Sequence, residues 1–307
     1  MQFVKQEITK YIDTNLTDEF DEWSPTTTYI VEENNNLTNA SVVRYGTYYY
    51  RSVTNDNLNF NPEEYENIKW VKYKVSNKFA MLDMSANSKS MVENGDMFVI
   101  FPQNYMEVLG FGNYEADTIL VELLAEDMTT VVWSKETISL INLNVYDYWD
   151  YMYEPYIIDS NHTVKMNIPR LGKYVRVTFR QQPLNNRSAC GYMIGGNPVY
   201  MGKALMGVSF SYNSFATKKI GSLGSLEIEK GAVQDIVDFE TVISSNYLPR
   251  MRRELKKIYN EIGLFIVDER EDSQYENLMT LGVIQDASVL LENVVESVMT
   301  FSVLEAV

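Results

Sequence analysis

Chemistry in this chain would have to begin from very few residues. There is one histidine, His162, and one cysteine, Cys190. A Ser–His–Asp triad or a multi-histidine metal site would rest wholly on His162. That residue sits in the polar run 159–163, which reads as a solvated turn. A single cysteine permits no internal disulfide and no cysteine-based zinc site. Two acidic runs, Asp18-Glu-Phe-Asp-Glu22 and Asp268-Glu-Arg-Glu-Asp272, offer hard oxygens for calcium. Neither has the alternating spacing and central glycine of an EF-hand loop, so both read as solvated loops. Gly191-Tyr-Met-Ile-Gly-Gly196 lacks the Lys-Ser/Thr ending of a phosphate loop and reads as a turn. A glycosidase needs two carboxylates facing each other across a sugar, and among 42 acidic residues nothing marks such a pair. The expectation is a protein with no catalytic residue, no metal and no cofactor.

Two sets of residues point to binding instead. Arg250, Arg252, Arg253, Lys256 and Lys257 form a local basic cluster in a chain of net charge −16. A solvated polar face is the plain reading of such a run. The sharper one is an electrostatic contact with an acidic neighbour, which could be another copy, since both charges exist on one chain. The second set is aromatic: Trp23, Tyr29, Tyr48, Tyr49, Tyr50 and Trp70. Sugars stack their apolar C–H faces on flat rings, so Trp23, Tyr29, Tyr48, Tyr49 and Trp70 are candidate glycan contacts. The plain alternative is that they fill the core of a small domain. In a strand, Tyr48 and Tyr50 face one way and Tyr49 the other, so one of the two sets is expected at the surface.

The elements that must position these sets read as mostly β. A length of 307 residues suits two or three domains, and 45% hydrophobic residues is ordinary for packed cores. Tyrosine is overused, with 22 beside 13 Phe and 4 Trp, which favours strands and interfaces. The acidic surface argues against nucleic acid and anionic membrane as partners. No stretch of 18 apolar residues occurs, and no apolar signal core opens the chain, so neither membrane insertion nor secretion is expected.

Residues 1–20 read as an adaptor segment and 21–75 as a small aromatic β module with two strands meeting at Gly46. In 76–204, strands are expected at 97–101, 118–124, 129–133 and 174–179. The last alternates Tyr174, Arg176, Thr178 against Val175, Val177, Phe179. Strands at this spacing predict an antiparallel sandwich, with the four glycines of 191–202 making a turn-rich return. Residues 205–307 read as α+β. Strand-like segments lead into a helix near 245–262, whose Leu248, Met251, Leu255, Ile258, Tyr259 and Ile262 form one apolar stripe. Gly263 is its expected stop, 264–267 a buried strand, and 289–307 one or two closing strands.

These residues also carry a resemblance. The order Trp23…Thr28-Tyr29…Val42-Val-Arg-Tyr-Gly-Thr-Tyr-Tyr49…Pro62…Trp70 resembles the small chitin-binding-like carbohydrate-binding modules of families 5 and 12. A longer Asn-rich loop replaces their short Gly-Asp turn. Asn77-Lys-Phe-Ala-Met-Leu-Asp83 resembles the junction that follows such modules in a family of bacteriophage tail proteins. Tyr146-Asp-Tyr-Trp-Asp-Tyr-Met-Tyr-Glu-Pro155 and Ser188-Ala-Cys-Gly-Tyr-Met-Ile-Gly195 resemble further segments of that family, in the same order. The resemblance implies a galactose-binding-like jelly roll for the middle region. For the end it implies a sandwich plus one helix, as in tail-tube and distal-tail proteins. It further implies a structural role in a virion tail, collar or baseplate, made in the host cytoplasm. The partners would be copies of itself, other tail proteins and, through the first module, a host surface glycan. A free carbohydrate-binding protein and a glycoside hydrolase are the alternatives.

Overall fold

The computed structural model describes residues 1–32, 37–85, 87–137, 148–153, 163–183, 185–205, 207–220, 226–229, 231, 233–267, 278–290 and 295–306. The chain is mainly β, and its named sheets are antiparallel. Two of them form a sandwich. The five-stranded sheet runs Val131–Glu136, Ile119–Leu124, Tyr174–Phe179, Met97–Pro102, Asp13–Thr14. The four-stranded sheet runs Thr163–Asn167, Val108–Glu115, Arg187–Gly196, Ser90–Glu93. The expected alternation in Tyr174–Phe179 is present, with Val175, Val177 and Phe179 buried. They meet Phe111, Leu109 and Met193 of the facing sheet. Phe111 and Phe179 touch edge to face at 5.6 Å.

The strand Arg187–Gly196 does not alternate: nine of its ten residues are buried. The glycine-rich return expected there is instead a central strand covered on both faces. One face belongs to the sandwich core. On the other, Tyr192 and Ile194, with Val108, pack against Val4, Leu264, Ile266 and Leu281 of a third sheet. Glycine lets the two sheets close up. A Cβ on Gly110 would stand 2.4 Å from Leu264 Cδ2, and one on Gly196 would stand 2.2 Å from the Lys5 carbonyl oxygen.

That third sheet has eight strands, in the order Pro198–Tyr200, Gln2–Lys5, Gly263–Ile266, Met279–Leu290, Glu296–Glu305, Val233–Ser244, Lys203–Ala204, with Ser209–Ser214 also on Val233–Ser244. Its far face holds Phe3, Phe239, Phe265, Phe301 and Met299, and the helix Leu248–Ile258 lies over them with Met251, Leu255 and Ile258. The helix is shorter than the 245–262 expected. Gly263 is not its stop but the first residue of a strand. The Phe3 ring stands 2.4 Å from where a Gly263 Cβ would be, so the glycine answers a packing need.

Residues 1–20, read as an adaptor, are woven through the body. Gln2–Lys5 is an inner strand of the eight-stranded sheet, and the Met1 ammonium donates to the Gly202 carbonyl at 2.7 Å. Asp13–Thr14 is an edge strand of the sandwich. Asp18 then pins the small module, lying 3.1 Å from Arg44 Nε and 3.7 Å from Lys78 Nζ. The 77–83 motif is the other half of this joint. Asn77 Nδ2 donates to the Thr17 and Met91 carbonyls, both at 2.9 Å, and Met81 is buried in the sandwich core.

The small module has a three-stranded sheet, Val42–Tyr45, Tyr48–Ser52 and Trp70–Val75, and a two-stranded one, Thr28–Tyr29 with Asn57–Leu58. Gly46 makes the tight turn between the first two strands at φ +61°, a conformation glycine adopts at no steric cost. Tyr29, Val43, Tyr50 and Trp70 fill one side of the module. Phe20, Val42 and Tyr49 fill the other.

Candidate interaction surfaces

The helix Leu248–Ile258 forms because apolar residues recur at three- and four-residue steps and Pro249 fits its first turn. At 100° per residue the buried stripe leaves Arg253 pointing outward, Arg252 and Lys256 on one flank, and Arg250 and Lys257 on the other. All five are exposed. Lys257 pairs with Glu254 at 3.0 Å, and the Arg250 guanidinium lies 5.4 Å from the Tyr247 ring centre. Arg252, Arg253 and Lys256 have no ion pair among the described residues. Five cations and one carboxylate give this helix a net +4, so the rest of the chain carries −20. Lys256 and Lys257 also sit in the last turn, where positive charge is favoured by the helix dipole.

The aromatic set is arranged differently from the sequence expectation. Tyr29, Tyr49 and Trp70 are buried and form the module's cores. Trp70 Nε1 donates to the Phe60 carbonyl at 2.9 Å, and burial raises the pKa of the Tyr49 phenol. Neither Tyr49 nor Tyr50 reaches the surface: Phe20 covers Tyr49 on one face, and Tyr50 packs with Tyr29, Val43 and Trp70 on the other. Trp23 and Tyr48 are half-buried. Trp23 stands edge to face with Tyr45 at 84°, and Lys72 Nζ sits 3.3 Å from the Tyr48 ring centre. Of the five candidate glycan contacts, only these two are not buried.

The remaining candidates resolve into structure. Cys190 is fully buried, its thiol donates to the Tyr192 carbonyl at 3.2 Å, and burial pushes its pKa up to about 12. A thiol held neutral in this way is a poor nucleophile. The first acidic run is spent on ion pairs: Asp18 with Arg44 and Lys78, Glu19 with Lys74, Glu22 with Arg44. The second run and His162 lie outside the described residues. Among the described residues no group of three or more His, Cys, Asp or Glu could hold a metal ion. A shallow cleft is lined by Gln2, Glu107, Asn167 and Arg170, and its two charged residues pair with each other at 2.8 Å.

Against known proteins, the chain matches no family model, no curated protein and no solved structure.

One surface was legible in the sequence only as part of a resemblance. The helix Tyr148–Tyr153 exposes Tyr148, Trp149, Met152 and Tyr153. Its density of aromatic residues was a signal in itself, since these types populate interface centres. No helix among the described residues is long and apolar enough to cross a membrane.

Proposed function

We propose that this chain is a non-enzymatic structural component of a bacteriophage tail, placed in the tail, collar or baseplate. It is made in the host cytoplasm and carried in the virion. It assembles with copies of itself and with other tail proteins. In this reading the two-sheet sandwich is a galactose-binding-like jelly roll, and the eight-stranded sheet with its helix is the tail-tube-like assembly part. The small module is presented to a partner or a surface glycan, with Trp23 and Tyr48 as its available rings.

The observation that carries the reading is the charge arrangement. A helix face of +4 stands exposed on a chain whose remainder is −20. Long-range repulsion between such acidic chains opposes self-association, and a local basic face supplies the attraction that orients it. The ordered resemblance in the sequence supplies the setting.

Light scattering tests it. The full chain at low salt is expected to show a mass several times that of one copy. The mass should fall as salt rises toward about 1 M, where the screening length drops to about 3 Å. Arg252→Glu/Arg253→Glu/Lys256→Glu should be monomeric at low salt with an unchanged melting temperature, since all three side chains are exposed. A wild-type chain that stays monomeric at low salt overturns the self-assembly reading.

A further inference from the structure

The two faces of the eight-stranded sheet are covered unequally. The helix Leu248–Ile258 lies on one, over Phe239, Phe265, Phe301 and Met299. On the other, the sandwich packs against Val4, Leu264, Ile266 and Leu281. That contact takes the end of the sheet made by Gln2–Lys5, Gly263–Ile266 and the start of Met279–Leu290. Toward the other end, Val237, Phe239, Phe301 and Val303 turn to the helix, so their strand neighbours turn to the sandwich side. There Asp238 and Asp286 flank Ser302 in one row across three strands, and Glu240 stands in the next row. Leu290, 59% exposed, ends an apolar row beyond them. Glu240 and Asp286 are exposed and Asp238 is half-buried. None of the three has an ion pair among the described residues. Lys203 stands at the edge, paired to Val242, and the face stays acidic.

The matching surface is the outward face of Leu248–Ile258. Arg252, Arg253 and Lys256 are exposed there and have no ion pair among the described residues. Within one copy the two surfaces cannot meet, because the sheet lies between them. Their spacings agree. Positions i and i+2 of a strand, such as Asp238 and Glu240, lie about 7 Å apart. Positions i and i+4 of a helix, such as Arg252 and Lys256, lie about 6 Å apart.

We infer that the basic helix of one copy docks on the open, acidic face of the eight-stranded sheet of a second copy, with Arg252, Arg253 and Lys256 against Asp238, Glu240 and Asp286. This contact rests on the self-assembly proposed above and supplies the surface that the basic face meets. Charge-assisted hydrogen bonds join the two sides. Because the faces differ, the contact is head-to-tail. It repeats from copy to copy until it closes into a ring or grows as a filament.

Charge reversal tests it, read by light scattering and sedimentation at low salt. Glu240→Lys/Asp286→Lys reverses the sheet side, and Arg252→Glu/Arg253→Glu/Lys256→Glu reverses the helix side. Each alone is expected to be monomeric, with self-affinity reduced by about 30-fold or more, since like charges now face each other. Mixed one to one, they should assemble again as alternating copies, because both pairs of faces are then opposite in sign. Glu63→Lys/Glu64→Lys is the control. It brings the net charge from −16 to −12, as the sheet variant does, but on the small module, and should assemble like wild type. The inference is overturned if the sheet variant assembles like wild type while the helix variant is monomeric, and the self-assembly reading then stands. It is equally overturned if the control is monomeric, or if the mixture does not assemble. If the helix variant assembles like wild type, or wild type is monomeric, inference and reading fall together. Far-UV circular dichroism checks that each variant is folded. Should the lysine variant unfold, Glu240→Gln/Asp286→Asn takes its place, with a weaker loss expected and unchanged assembly refuting the contact.

Discussion

The seam between the sandwich and the eight-stranded sheet can be tested by a double-mutant cycle at Gly110 and Leu264. Leu264 is fully buried among Val108, Tyr192, Ile194 and Ile266. A methyl on Gly110 would stand 2.4 Å from Leu264 Cδ2 and 2.9 Å from Ile194 Cγ2. Carbon atoms rest at about 3.5–4.0 Å, so Gly110→Ala must push Leu264 aside. Overpacking of this kind costs about 1–3 kcal/mol, offset in small part by the stiffer unfolded chain. Leu264→Ala alone removes buried carbons and leaves a cavity, for a loss of about 2–5 kcal/mol. In the double variant the new methyl enters the space the leucine vacated. Its combined loss should be smaller than the sum of the single losses by about 1–3 kcal/mol. Urea unfolding followed by circular dichroism and tryptophan fluorescence gives the four stabilities. Additivity to within about 0.5 kcal/mol, as for distant sites, would refute the close approach of the two sheets at this point.

Two more expectations concern buried charge. The Asp18 carboxylate is 8% exposed and faces both Arg44 and Lys78. Asp18→Asn keeps its shape but removes the charge that faces Lys78 and leaves Arg44 only the exposed Glu22, and should cost about 1–3 kcal/mol, below the fully buried case because the cations are partly solvated. A thermal melt that matches wild type would show the joint to be inert. Glu305 is pushed above its ordinary value of 4.5 chiefly by burial, with repulsion from Asp235 added. A carboxyl whose folded pKa is raised is least costly when protonated. It lowers stability progressively as pH rises from the unfolded value through the folded one. Glu305→Gln should therefore melt higher than wild type at pH 7 and equal it near pH 4. An equal gap at both pH values would rule out titration of Glu305 as the cause.

The class of fold was written locally. Alternation in Tyr174–Phe179 marks a half-buried strand, and the Met251, Leu255, Ile258 stripe marks a helix on a sheet, because side-chain period follows directly from backbone geometry. The basic face was legible for the same reason: once a helix has an inner stripe, its other residues point outward. The aromatic set was misplaced because period tells which residues share a face, not what covers it. Both faces of Tyr48–Ser52 are covered, one by Tyr29 and Trp70, the other by Phe20 from outside the module.

The sequence by itself determined a mainly β chain with a basic helix, few chemically active residues and an excess of aromatic side chains. Only the tertiary structure decided that Gln2–Lys5 pairs with Gly263–Ile266 and that a glycine-rich stretch is the central strand between two other sheets. The first of these joins residues more than two hundred positions apart. Both are selected by the fit of whole layers, where a missing Cβ at Gly110 or Gly196 makes room for a neighbour that no local pattern names.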